Sequence, residues 1–300
     1  MDAEAATRNK QWVTNTPGVV DDATADATIL LMLSTMRHQY EIEYNMRHGL
    51  PNKPRIGRDP TGMILGIVGM GGIGKVTNNQ PRERERGRRR IARHSFFLIT
   101  KHNMSMNAHL SMLLSFVSLF LFLRLLKKTW NKKAVAKRAQ SLGMKVVYHN
   151  RRPISADAAD STFLNTVEYL ATLDELLAVS DVVSIHVPLS AETRHLIGAA
   201  EFAKMKEGAY FLNTSRGPVV HEESLVQALE SGHIAGAGLD VFEHEPKVHP
   251  SLLSSMNVAL MPHLGAFTIE TITKMEALTM ENIDLYLSSG SLLTPVNSVN

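Results

Sequence analysis

Gly69, Gly71 and Gly74 are spaced G-x-G-x-x-G and follow directly on the apolar run Leu65-Gly66-Ile67-Val68. A buried strand ending in such a turn brings bare backbone to a helix N-terminus, where free N–H groups can hold a pyrophosphate. The spacing alone is a weak signal, because glycine turns after strands are common. It needs a helix behind it, a second strand, and a ribose-reading residue about 20 positions further on. Other polar residues stand just past other apolar runs. Asn150 follows Lys145-Val146-Val147-Tyr148, and His186 follows Val182-Val183-Ser184-Ile185. Asn213 and Arg216 follow Tyr210-Phe211-Leu212, Asp240 follows the run from Ala235 to Leu239, and His263 follows Val258 to Leu260. In a parallel doubly wound sheet, ligands bind at the C-terminal ends of the strands, so these residues outline one site.

The elements that must position them are interrupted. No helix continues from Gly74; Lys75 leads instead into an Arg-rich run and then a greasy segment. The missing helix reads from Ala134 to Gly143, and the strand Lys145-Val146-Val147-Tyr148 comes next. With positions 76–133 removed, the text becomes a complete β-turn-α-β unit, rich in Ala, Lys and Arg and with Gly143 as the C-cap. Composition agrees with this division. The 58-residue insert holds 13 Lys/Arg and 2 Asp/Glu, a net of +11, which leaves −8 for the remainder. The basic pI near 9.0 therefore belongs to the insert and does not mark a nucleic-acid-binding protein. A retained intron is one origin: Val76 needs a codon beginning GT, and Lys133 can be AAG.

Signals for helices and strands alternate along the rest of the chain. Asn15-Thr16-Pro17-Gly18 is a turn, and Asp21 to Met46 reads as one long helix with acidic residues at its start. Thr172-Leu173-Asp174-Glu175 is a capping box opening a helix that ends near Val179. Helices from Glu222 to Ser231 and from Phe267 to Ser288 complete the pattern. The fold class is α/β, a doubly wound parallel sheet of Rossmann type. Three hundred residues with 44% hydrophobic content suffice for a sizeable core. The absence of cysteine excludes disulfides and thiol chemistry and suits a reducing, cytoplasmic setting. His186, His195, His221, His233 and His244 show no ligand spacing, so no metal is expected. Glu243 reads as a solvated residue.

The motifs NTPGVVDDATAD, GIVGMGGIG, SDVVSIHVPLSAETRHLIG, FLNTSRGPVV, GAGLDVFEHEP and MPHLGA occur in this order. In that order they resemble the D-isomer-specific 2-hydroxyacid dehydrogenases, with the glyoxylate/hydroxypyruvate reductase branch nearest. The resemblance spans roughly 13–75 and 134–300. It implies that His263 is the general acid toward a substrate carbonyl oxygen, that Glu245 pairs with it, and that Arg216 binds the carboxylate of a small 2-keto acid. It also implies that Asp240 holds the nicotinamide amide and that Gly69, Gly71, Ile73, Gly74, Val187 and Thr214 line the cofactor. A lone His after Pro is ordinarily a loop residue, and an Arg after Ser a surface charge. The order of the motifs carries the weight.

The family places a flavodoxin-like substrate domain mostly ahead of the NTPG motif, and it has no insert after its glycines. The expected organisation is therefore a segment and linking helix over 1–62, a dinucleotide-binding domain over 63–265 interrupted at 76–133, and a returning C-terminal helix over 266–300. On this reading most of the substrate domain is absent and the activity of the chain is impaired. Without the insert, Asn150 lies 23 positions after Gly69, where NAD enzymes carry Asp or Glu. Asn150-Arg151-Arg152 offers no negative charge and two guanidiniums, which favours NADP over NAD. Family resemblance implies a homodimer. A corepressor-like dinucleotide sensor is the alternative from another class. Met104 to Leu123 is uncharged and just long enough to span a bilayer, which leaves a membrane-tethered form as a third, less favoured reading.

Overall fold

The computed structural model describes residues 3–51, 55–70, 131–154 and 161–299. Seven strands form one parallel sheet in the order β3-β2-β1-β4-β5-β6-β7. They are β1 (Ile64–Val68), β2 (Lys145–His149), β3 (Val167–Tyr169), β4 (Val182–Ile185), β5 (Ala209–Asn213), β6 (Ile234–Leu239) and β7 (Val258–Leu260). The order runs outward from β1 in both directions, so the topological switch lies between β1 and β4. Register there is Leu65 opposite Val182 and Val68 opposite Ile185. Their ends, Gly69 and His186, flank the crevice where such sheets bind ligands. Ile64 stands opposite Lys145 in β2. Strands on either side of positions 76–133 are thus direct neighbours, as one interrupted β-turn-α-β unit requires.

Helices connect the strands: α1 (Ala3–Arg8), α2 (Asp21–Met36), α3 (Gln39–Arg47), α4 (Asn131–Ser141), α5 (Ser161–Leu164), α6 (Leu173–Val179), α7 (Ala199–Lys204), α8 (Glu222–Glu230), α9 (Pro250–Ser254) and α10 (Ile269–Ser289). The inner strands are buried on both faces, and alternate side chains feed two cores. Phe211 joins Leu176, Leu177, Phe202 and Leu225 on one face. Leu65, Ile67, Tyr210 and Leu212 join Met32 and Met36 of α2 and Val135 and Ala139 of α4 on the other. Arg138 of α4 reaches Asp26 at 2.6 Å and Asp22 at 3.3 Å on α2, fastening that layer at its rim.

Two local expectations need adjusting. The capping box at Thr172 and Glu175 is present as expected. The single helix from Asp21 to Met46 is not: it stops at Met36 and restarts at Gln39. His38 between the two takes the left-handed conformation, φ 52°. The Met36 carbonyl, which an unbroken helix would offer to Tyr40, instead accepts the Arg58 N–H at 3.0 Å. A second difference is that α4 begins at Asn131, three residues before Ala134.

Residues 19–73 with 129–273 form the compact unit that holds the sheet. Residues 1–18 and 274–300 belong to another, in which Val296 donates to the Val13 carbonyl at 2.8 Å and Asn15 to the Thr294 carbonyl at 3.2 Å. Among the described residues no helix is long and apolar enough to cross a membrane. The stretch Met104 to Leu123 lies outside them.

Candidate active site

Three loops at the C-terminal edge of the sheet carry the residues singled out above. The first leaves β5. Asn213, buried at its end, accepts from the Ser215 N–H at 3.0 Å and donates from Nδ2 to the Arg216 carbonyl at 3.1 Å. That arrangement folds the loop back on itself and points Arg216 outward. The guanidinium is exposed. Its Nη1 donates to the Ser215 carbonyl at 2.6 Å, and no other acceptor meets the fork among the described residues. Gly217 follows, packed so close to the second loop that a Cβ would sit 1.8 Å from the Phe242 carbonyl oxygen. No other residue type lets these two loops touch.

The second loop leaves β6 and contains Asp240, Glu243 and Glu245. The third leaves β7 and contains His263. His263 Nδ1 lies 2.8 Å from Glu245 Oε2, while Glu245 Oε1 accepts the Phe242 N–H at 3.0 Å. Burial alone would raise the Glu245 carboxyl, but the hydrogen bonds from His263 and Phe242 and the positive charges of His263 and Arg216 hold it below the ordinary glutamate value. Asp240 is buried, and burial pushes its carboxyl up. Both of its oxygens take backbone donors from the third loop, Leu264 N–H at 2.8 Å and Gly265 N–H at 2.9 Å. Its own carbonyl accepts the His263 N–H at 2.8 Å. Asp240 thus grips the chain from 263 to 265, and His263 is held in a left-handed conformation, φ 58°.

Arg216, Glu245 and His263 line one cavity of about 1070 Å³, together with Phe242, Glu243 and Pro246. Glu243 is not the solvated residue that the sequence suggests. Its side chain is only 11% exposed; it meets His195 Nε2 at 2.5 Å and accepts the Glu222 N–H at 2.9 Å. These contacts outweigh the effect of burial and hold its carboxyl low. Sequence reasoning missed His195, Glu222 and Glu243 as a group, because they lie 21 to 48 positions apart and follow no motif spacing.

The cofactor side of the crevice is built from β1, β2 and β4. Gly69 has φ +94°, and a Cβ there would lie 2.6 Å from Val187 Cγ1 and 3.1 Å from the His186 carbonyl. Only glycine closes this turn against β4. Asn150 Nδ2 donates to the Met70 carbonyl at 2.7 Å, tying the end of β2 to the glycine turn. Arg151 and Arg152 are exposed beside it. Glu192, held low chiefly by the Ser190 hydroxyl, also feels the charge of Arg151. Thr214 is buried with its hydroxyl 2.8 Å from that of Thr28 on α2. Gly71, Ile73 and Gly74 lie outside the described residues. Gly69 at the switch point, with Asn150 and two exposed guanidiniums at the end of β2, suits a dinucleotide carrying a 2′-phosphate.

Comparison with known proteins decides the family. Residues 133–265 match the D-isomer specific 2-hydroxyacid dehydrogenase, NAD binding domain. The match begins at the last residue of the insert. The 4-methyl-2-oxopentanoate reductase A of Aspergillus oryzae is 34% identical over 298 residues, covering 99% of this chain and 71% of its own. The chain belongs to the D-isomer-specific 2-hydroxyacid dehydrogenase family. The crystal structure of a glyoxylate reductase from Paecilomyes thermophila superposes on this dehydrogenase chain with a TM-score of 0.73 at 35% identity. That match covers 99% of this chain and 71% of the other. An NADPH-dependent glyoxylate/hydroxypyruvate reductase from Sinorhizobium meliloti, solved with NADP and malonate, gives 0.70 at 26% identity, with 99% and 73% covered. The family is one of NAD(P)-dependent oxidoreductases. This chain spans about seven tenths of the length of each of these relatives.

Proposed function

We propose that this chain is a reductase of small 2-keto acids of the glyoxylate or hydroxypyruvate type, giving the 2-hydroxy acid (the D isomer where it is chiral) with NADPH as the preferred reductant, its activity impaired by the insert at 76–133. The observation that carries the reading is the His263–Glu245 pair, sharing one cavity with an outward guanidinium at Arg216. With Nδ1 engaged by the carboxylate, the imidazole presents Nε2 as the proton donor to the substrate carbonyl oxygen. Glu245 stabilises the imidazolium until that proton leaves. Arg216 takes the substrate carboxylate in its planar fork and orients the carbonyl toward His263. The dinucleotide, when bound, supplies the hydride for the carbonyl carbon. Gly69 and the turn behind it would hold its pyrophosphate, Arg151 and Arg152 its 2′-phosphate.

In this reading 63–265 is the dinucleotide-binding domain, 1–62 leads into it, and 266–300 leads away. A homodimer and a cytoplasmic setting are proposed with it, the first from family resemblance and the second from the absence of cysteine; sedimentation and fractionation test them. Activity is tested by following NADPH oxidation with glyoxylate, hydroxypyruvate and 4-methyl-2-oxopentanoate. Turnover that is lost in His263→Ala supports the proposal. Tight dinucleotide binding without turnover of any of the three would replace it with a non-enzymatic dinucleotide sensor.

A further inference from the structure

The loop bearing Glu245 is held by more than the Glu245 bond to the Phe242 N–H. The Glu245 side chain is about one-third exposed, and the following residues, Pro246 and Lys247, are exposed as well. Beside the His244–Lys247 bridge within it, the loop is held by a reciprocal arrangement at the N-terminus of α8. Glu222, the first residue of that helix, accepts the Glu243 N–H on Oε2 at 2.9 Å and the His249 N–H on Oε1 at 3.2 Å. One carboxylate therefore grips the chain on both sides of Glu245. The N–H of Glu222, unused at a helix start, donates in turn to Glu243 Oε2 at 2.9 Å. Glu222 is buried.

Cations and donors surround the two carboxylates, which favours their charged forms. His195 provides one partner to Glu243, and its ring meets that of His221 edge-on, 5.0 Å between centroids. His249 reaches Glu223 at 3.3 Å, and the charge of His244 also acts on Glu243. On the substrate side, Arg216 and His263 face Glu245, with Asp240 behind His263. Glu222, Glu243, His195 and His249 have no place in the chemistry described above.

We propose that Glu222, with Glu243 as its counterpart, is the positioning residue that fixes Glu245 against His263. The proposal rests on the reductase reading, but its test does not. Chain labelled at glutamate is titrated by NMR, the Glu245 carboxyl signal being identified by its loss in Glu245→Gln. In Glu222→Ala the Glu245 carboxyl titrates higher, back toward the ordinary glutamate range, in the same direction as in His263→Asn. A merely structural Glu222 lowers thermal stability and leaves that titration where it was. If Glu222→Ala does not fold, Glu222→Gln is read instead; it keeps one acceptor oxygen and moves the titration less, in the same direction. An unmoved Glu245 titration in a folded Glu222 variant, with His263→Asn shifting it, overturns the proposal. An inactive wild-type chain would count against the reductase reading alone.

Discussion

His263 Nδ1 and Glu245 Oε2 stand 2.8 Å apart although they lie 18 positions apart in the chain. Both are anchored to the loop after β6, His263 by the Asp240 carbonyl and Glu245 by the Phe242 N–H. The contact therefore joins the ends of β6 and β7, and its consequences extend beyond a single hydrogen bond.

Replacing Glu245 with Gln removes the charge that favours the imidazolium. The pH above which keto-acid reduction fails is expected to fall, as for loss of a close opposite charge. His263→Ala is expected to lower turnover by roughly 10²- to 10⁴-fold, the usual contribution of a general acid, with NADPH binding nearly unchanged. Initial rates across pH and fluorescence titration of NADPH check both. An unshifted profile in Glu245→Gln would remove the pairing from the mechanism.

The two carboxylates of this loop have a stability signature. Glu245 and Glu243 both titrate below their ordinary value in the folded chain. Such groups add stability that is complete above the unfolded glutamate pKa and lost as pH falls through the lower folded one. Urea denaturation should show the wild type ahead of Glu243→Gln near neutrality, with the gap closing as the solution is acidified below about pH 4. A gap that widens with acid would mean that these carboxylates are not stabilised by their partners.

Asp240 is expected to matter through the backbone it holds. Its two oxygens accept the Leu264 and Gly265 N–H groups in a buried setting. Asp240→Asn turns one acceptor into a donor facing an N–H, at a cost of about 1–3 kcal/mol for an unsatisfied buried group. Turnover should fall with it, because His263 sits on the loop so held. Denaturation midpoints and rates on the same preparations test this; an unaffected stability would show that the two bonds are dispensable.

Much of this was legible in the sequence for local reasons. Strands buried on both faces read as apolar runs, and the turn and cap residues that bound them are short-range signals, so β1, β2, β4 and β6 could be placed within a residue or two. Glu245 and His263 could be paired only through the order of the motifs. The break at His38 was not legible, since it depends on the Arg58 N–H taking the Met36 carbonyl from a later loop. Elements such as Val167–Tyr169 and Ala199–Lys204 are too short to show a period. The Glu222–Glu243–His195 group depends on tertiary contact and on no spacing at all.

Cofactor choice should follow the end of β2. Arg151→Ala combined with Arg152→Ala removes two exposed guanidiniums and leaves Asn150 tied to Met70. Charge-assisted bonds to a phosphate contribute about 1.5–3 kcal/mol, so NADPH should bind roughly tenfold or more weakly. NADH, which lacks the 2′-phosphate, should bind almost as before. Equal losses for the two dinucleotides would assign the arginines to the solvent.

The insert gives the last expectation. β1 and β2 lie side by side in parallel register, Val68 opposite His149, and α4 packs with both in the core. Family resemblance joins these elements through a short glycine turn, whereas here 58 residues with a net charge of +11 intervene after Lys75. Loop-closure entropy grows only as the logarithm of length, so the length itself costs little. Position costs more. The insertion point falls one residue after Gly74, at the start of the helix whose free N–H groups would meet the pyrophosphate. Deleting 76–133 joins Lys75 to Ala134 and restores that sequence. The deleted form is expected to bind NADPH at least about tenfold more tightly than residues 1–300, a difference of roughly 1.4 kcal/mol. It should also be less prone to aggregate, having lost the greasy run from Met112 to Leu123. Calorimetric titration of both forms decides the matter: equal affinities would mean that the insert leaves the pyrophosphate site intact.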